Sequence, residues 1–219
     1  MRCCGGRVIG QELLDTADPS IVTENLRDLV RINRFFGGHR ILKRMFSRHV
    51  RRSEAFSVLD VGAASGDMAR AIKKHYPRAT VVSLDRRVPY LAPAPSPRVG
   101  ANAFQIPFRD RSFDFVFSSL FLHHFSDDEV TYLLSDFSAK ARRAVLAIDL
   151  ERNPIPYYFL PGTRWLMKWG PFTVHDGKLS VEAAFRAREL DRLARAAGLK
   201  EVRVRRHYPW FRLTLEARV

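Results

Sequence analysis

Two periodicities divide the chain. Near 57–61, 80–84, 113–118 and 144–149, and more briefly near 98–101, apolar and β-branched residues run consecutively, which marks strands buried on both faces. Between them, from Met68 onward and again over 127–140, apolar residues recur at the helical period. Ser126 is a fitting N-cap for the second of these helices, with Asp127, Asp128 and Glu129 in its first turn. Strand and helix alternate over 57–150, which predicts an α/β fold with a mostly parallel sheet and helices on both faces. The crossover near 86–98 departs from the rule. Pro89, Pro93, Pro95 and Pro97 leave little room for a full helix, so a short or irregular connection is expected.

Helical patterns flank this core. From Asp18-Pro19-Ser20, residues Ile21, Val22, Leu26, Leu29 and Val30 share a face, and Gly37-Gly38 ends the run. A second helix places Ile41, Leu42, Met45, Phe46 and His49 on one side, with Lys43, Arg44, Arg48, Arg51 and Arg52 largely on the other. Residues 151–180 differ in texture: Pro154, Pro156, Pro161 and Pro171 alternate with Tyr157, Tyr158, Phe159, Trp165, Trp169 and Phe172. Such a stretch reads as a partly helical lid whose aromatic load suits a flat, apolar ligand. A helix over 181–197 stops at Gly198, and Val202, Val204, Phe211, Leu213 and Leu215 read as a closing hairpin.

The chemistry concentrates at Ser-Val-Leu-Asp-Val-Gly-Ala-Ala-Ser-Gly-Asp, residues 57–67. A strand runs into a glycine turn and then into a helix whose free N–H groups face a ligand, the arrangement of a nucleotide cradle. The next strand ends in Asp85, where an acid suits a ribose diol. A dinucleotide loop fits poorly, because Ala64 stands at the middle glycine and Asp67 where a small residue is needed. With Asp60 closing the strand, the loop resembles the D/E-x-G-x-(G/A)-x-G signature of class I S-adenosylmethionine (SAM)-dependent methyltransferases. Asn102-Ala-Phe-Gln-Ile-Pro-Phe-Arg-Asp-Arg-Ser-Phe-Asp-Phe-Val is similar to that family's segment before the fourth strand, and Ser118-Ser-Leu-Phe-Leu-His-His-Phe to the one after it. The resemblance covers roughly residues 55–150 and is nearest the small-molecule branch that includes ubiquinone and menaquinone methyltransferases.

What the resemblance implies is a Rossmann-like seven-stranded sheet, mostly parallel with an antiparallel last strand, in four parts. These are an N-terminal helical cap (1–54), a SAM-binding core (55–150), the lid (151–180), and a C-terminal helix and hairpin (181–219). It implies that Gly62, Ala64 and Gly66 line the methionine and ribose side, that Asp60 approaches the ammonium, and that Asp85 with Arg86 holds the ribose end. Asn102 stands where the family's acid meets adenine, next to Ala103, and Ser118 and Ser119 face the methionine portion. Methyl transfer then requires an aligned acceptor and a base, with neither a metal nor a covalent intermediate. His124, His123 and His175 are the base candidates; His175 adjoins Asp176, either as a base with its orienter or as a turn before Gly177. The expected acceptor is small and aromatic or lipophilic, a phenol, hydroxyquinone or polyketide, with O- ahead of C-methylation. An RNA or protein methyltransferase, and a SAM-binding partner protein without catalysis, are the alternatives.

Composition changes this picture little. The formal net charge is +14 over 219 residues, and the Arg residues that dominate it are scattered along the chain, so no specific nucleic-acid partner is expected. Arg164 and Lys168 beside the lid aromatics leave room for a peripheral membrane contact. Cys3 and Cys4 are adjacent and suggest neither a disulfide framework nor a metal site. Without a signal-like or membrane-spanning run, the expected location is the cytoplasm. Oligomeric state is not set by the sequence.

Overall fold

A seven-stranded sheet in the order β3-β2-β1-β4-β5-β7-β6 organises the computed structural model, which describes residues 5–10 and 19–219, with only the backbone of 19–23. Cys3, Cys4 and Asp18, and the side chains of Ile21 and Val22, lie outside the described residues. The strands are β1 (Phe56–Val61), β2 (Ala79–Asp85), β3 (Arg98–Gly100), β4 (Phe113–Ser119), β5 (Ala141–Leu150), β6 (Lys200–His207) and β7 (Arg212–Arg218). The first five are mutually parallel, and β7 runs antiparallel to both of its neighbours, β5 and β6. Two elements precede β1, helices α1 (Pro19–Phe35) and α2 (Gly38–Phe46). After β1 come α3 (Asp67–His75), α4 (Asp127–Lys140), α5 (Pro154–Met167), α6 (Pro171–Ala183) and α7 (Ala187–Ala196). Among the described residues, no helix is long and apolar enough to cross a membrane.

The consecutive apolar runs find two separate cores. Leu59, Val82, Val116 and Val145 pack with Leu133, Leu134 and Phe137 of α4 and Leu190 and Leu193 of α7. Their neighbours Val58, Val81, Phe115 and Leu146 turn to the other face, against Ile41, Leu42, Met45 and Phe46 of α2 and Met68 and Ile72 of α3. Adjacent strand residues point to opposite faces, so both must be apolar where helices cover both. The expected Ser126 cap is present as a full capping box with Glu129. The β2–β3 crossover is a single 3₁₀ turn, Val88–Leu91, as its prolines predict.

Four local expectations need correction. The second N-terminal helix ends at Phe46, so His49 lies in the turn after it, where its Nε2 meets Glu216 of β7 at 2.9 Å. The lid is not partly but largely helical, two helices joined at Lys168–Gly170, because the prolines sit at tolerated first-turn positions of α5 and α6 and only Pro161 falls inside a helix. His175-Asp176-Gly177 is no turn but the middle of α6. A Cβ on Gly177 would meet the Leu160 side chain of α5, which would have to turn aside. The helix expected over 181–197 is two helices, since Phe185 leaves α6 to bridge Glu151 in a buried position.

Glu216 anchors the turn after α2 to the sheet. Burial pushes its carboxyl up, but hydrogen bonds and charge from His49 and Arg48 outweigh that and bring it from 4.5 to about 2. A carboxyl depressed in the folded state stabilises above its unfolded pKa, and the contribution disappears as pH falls through the folded value. The stability difference between wild type and Glu216→Gln is therefore present at pH 5 and shrinks toward pH 2, which urea unfolding across that range measures.

Candidate active site

One cavity of about 940 Å³ opens at the carboxyl ends of β1, β2, β4 and β5, the edge where ligands bind open α/β sheets. Its floor is the β1–α3 loop. Gly62 takes φ 71° and Ala64 φ 45°, and a Cβ on Gly62 would meet the Phe121 ring, so backbone and ring approach more closely than any side chain allows. Gly66 faces away, packed against Ala94 of the proline-rich crossover. Asp85 Oδ2 accepts from the Ala64 N–H and its Oδ1 from the Arg87 N–H, each at 2.9 Å, which ties the end of β2 to the loop.

Asp60 is the most perturbed acid of the site. It is buried, lines the cavity, and its Oδ2 has no hydrogen-bond partner among the described residues. Burial, with the nearby charges of Asp67 and Asp85, raises its pKa to about 8. Ser119 Oγ is likewise buried without a partner and lines the same space. Unpaired buried polar atoms are expensive, and a cavity wall that carries two of them is shaped for a ligand that satisfies them.

His123 and His124 line the cavity from the short 3₁₀ turn after β4. His123 is 2% exposed, and its Nδ1 lies 2.6 Å from Asp149 Oδ1 at the end of β5. Asp149 also accepts from the N–H groups of Leu122 and Leu150. Burial alone would raise this carboxyl, but its contacts with His123 and the Leu150 N–H hold it below its usual value. The His124 ring stacks on His123 with centroids 4.4 Å apart. Arg7 reaches this turn from the N-terminal segment: its guanidinium donates to the backbone carbonyls of His123 and Phe125 and pairs with Asp127.

The far half of the cavity is apolar. Leu26, Leu29 and Val30 come from α1, Phe36 from the bend after it, Ile155, Phe159 and Leu160 from α5, Val181 from α6, and Trp210 from the β6–β7 turn. Polar α1 residues cross this wall. Asn25 Nδ2 donates to Asp176 at 3.4 Å, Asp28 accepts from the Gly170 N–H and Thr173 Oγ1, and Asn33 accepts from Arg212.

The structure brings together Asp60, Gly62, Ala64, Asp85, Arg86, Asn102, Ala103, Ser119, His123 and His124 as lining residues. It does not bring in three others. Gly66, expected beside the methionine and ribose, packs against Ala94 instead and does not line the cavity. Ser118 is buried within β4 and does not line the cavity, because its side chain takes the strand face opposite to that of Ser119. His175 projects from α6 with its side chain 54% exposed, and only its neighbour Asp176 lines the cavity. Asn102 is present but committed, its Oδ1 accepting from the Phe104 N–H at 3.1 Å. Sequence reasoning missed the pairing of Asp149 with His123, the inward polar residues of α1, and Arg212. The only signal for them was polar residues at helical spacing inside an apolar stripe of α1.

The family model described as a methyltransferase domain matches residues 59–153. That stretch is similar to a methyltransferase domain. The chain is 36% identical over 78 residues to a malonyl-[acyl-carrier protein] O-methyltransferase of Xylella fastidiosa (strain M23), a stretch covering 32% of this chain and 26% of that protein. It is 36% identical over 80 residues to malonyl-[acyl-carrier protein] O-methyltransferase 1 of Coxiella burnetii (strain RSA 493 / Nine Mile phase I), covering 36% and 28%. The matched stretch thus spans about a quarter of those curated relatives. In fold, a plantazolicin methyltransferase solved with S-adenosylhomocysteine (SAH) is similar at a TM-score of 0.71 and 12% identity, covering 94% of this chain and 93% of that one. The methyltransferase fold therefore extends beyond the matched residues, to the lid and the closing hairpin.

Proposed function

We propose that this protein transfers a methyl group from SAM to an oxygen of a small apolar acceptor held inside the cavity. The observation that supports it is one cavity lined both by polar groups, with the unpaired Asp60 and Ser119 oxygens and the His123–His124 turn, and by apolar residues of α1 and α5. An apolar lining suits a compact acceptor better than a polynucleotide. O-methylation is also what the names of the two curated relatives state of those proteins.

When bound, SAM supplies an electrophilic methyl on a good leaving group. The chain holds it with Asp60 Oδ2 toward the ammonium, Asp85 and Arg86 toward the ribose, and the loop backbone beneath. Asn102 offers its Nδ2 donors to the adenine edge beside Ala103, since its Oδ1 is occupied. The hydrogen bond from Nδ1–H to Asp149 fixes the His123 tautomer and leaves Nε2 as the basic nitrogen. A phenol ionises near pH 10, so such a base takes the proton as the oxygen attacks.

Asp60 provides the test. At pH 7 a carboxyl with a pKa of about 8 holds its proton, whereas an ammonium partner favours the carboxylate. SAH binding therefore releases a proton, and affinity rises with pH toward 8 and levels off above it, by at most about tenfold per unit. Calorimetry in two buffers of different ionisation enthalpy reads the released proton. No SAH binding, or binding with no proton release in wild type, overturns this assignment.

A further inference from the structure

Arg212 is the largest of the fully buried side chains, and it lines the cavity from the first position of β7. Its Nη2 donates to Asn33 Oδ1 at 3.1 Å, while Nη1 is buried with no partner among the described residues. The acids nearest in charge are already engaged. Asp149 holds His123 and two backbone N–H groups, and Asp67 Oδ2 holds His39 at 2.9 Å. Arg152, another deeply buried arginine, also has an unpartnered Nε, but Glu189 neutralises its charge at 2.6 Å and it lies outside the cavity. Burial lowers the Arg212 guanidinium to about 10, so it is charged at neutral pH.

A buried charge with an open donor is stable only if something completes it. The planar guanidinium fork matches a carboxylate, which accepts two parallel N–H bonds. We infer that Arg212 is the carboxylate-binding residue of the cavity. Resting on the methyl-transfer reading above, this gives the carboxylate two sources: the amino-acid end of the cofactor, or an acid group carried by the acceptor.

The test compares paired probes in wild type and Arg212→Met. The first pair is SAH and its decarboxylated analogue S-adenosyl-3-thiopropylamine, which keeps the ammonium. The second, measured with SAH saturating, is decanoate and decanamide. In one pair, wild type is expected to prefer the carboxylate form by about 10- to 100-fold. Arg212→Met is expected to abolish that preference and leave binding of the probe without a carboxylate unchanged. A preference in the first pair assigns the cofactor's carboxylate to Arg212; one in the second assigns an acidic acceptor. If methionine is not tolerated at this buried position, Arg212→Lys reads the same ratio, which should fall at least about threefold as the fork is lost. Wild type without a preference in either pair, or a variant that retains it, overturns the inference while leaving methyl transfer standing. Wild type that binds no SAH overturns both.

Discussion

Changing His123 to Gln slows single-turnover methyl transfer to a phenolic acceptor by about 10²–10⁴-fold, the range a positioned general base contributes. SAH affinity should not change, because the imidazole meets the acceptor and not the cofactor's polar ends. The choice of His123 over His124 rests on orientation. Both line the cavity, but only His123 has Asp149 at 2.6 Å to fix which nitrogen carries the proton. His124→Gln should therefore cost less, through the ring it stacks on. Rapid-quench measurement with methyl-labelled SAM decides it. A His123→Gln rate equal to wild type removes His123 as the base; loss at His124 alone transfers the role to its neighbour.

Phe46→Ala should destabilise the fold by about 3–5 kcal/mol, the usual loss for truncating a buried aromatic. Phe46 is fully buried on α2, and its ring packs on four others: Phe56, Tyr76, Phe115 and Phe117, with centroids 5.7–6.1 Å apart. These come from β1, β4 and the end of α3, so the cavity left behind touches three elements and cannot collapse by one side chain moving. For a chain of this length, that lowers Tm by about 6–20 °C, measurable by calorimetry. A shift under a few degrees would mean that α2 repacks, and that the helix is an appendage to the core.

The core was legible because the central strands carry adjacent apolar residues, one for each face of the sheet. Val58 and Leu59, or Val81 and Val82, serve opposite cores, and an unbroken apolar run of strand length fits little besides a strand covered on both faces. The glycine loop was legible because Gly62 meets a need that another residue cannot. The lid was less so. Its prolines argue for broken helix on propensity alone, yet at the first turn of α5 and α6 they are tolerated, and only packing against α1 fixes where those turns fall. His175 looked like a base beside an acid because adjacency in sequence was the only signal. On a helix, neighbours point about 100° apart, and here one faces the cavity and the other solvent. Arg212 and Asp149 were harder still. Nothing within β5 or β7 says that one arginine stays inside, or that Asp149 would receive a histidine from a different strand's end.

Arg7 carries a practical consequence. One side chain near the start of the chain gathers the carbonyls of His123, Phe125 and Ala183, pairs with Asp127, and lies over the Phe185 ring at 4.0 Å. It thereby clamps the 3₁₀ turn that aims the histidines. Arg7 is therefore a brace for the turn that carries His123 and His124, and a change made at residue 7, distant in sequence from that turn, is expected to be felt there.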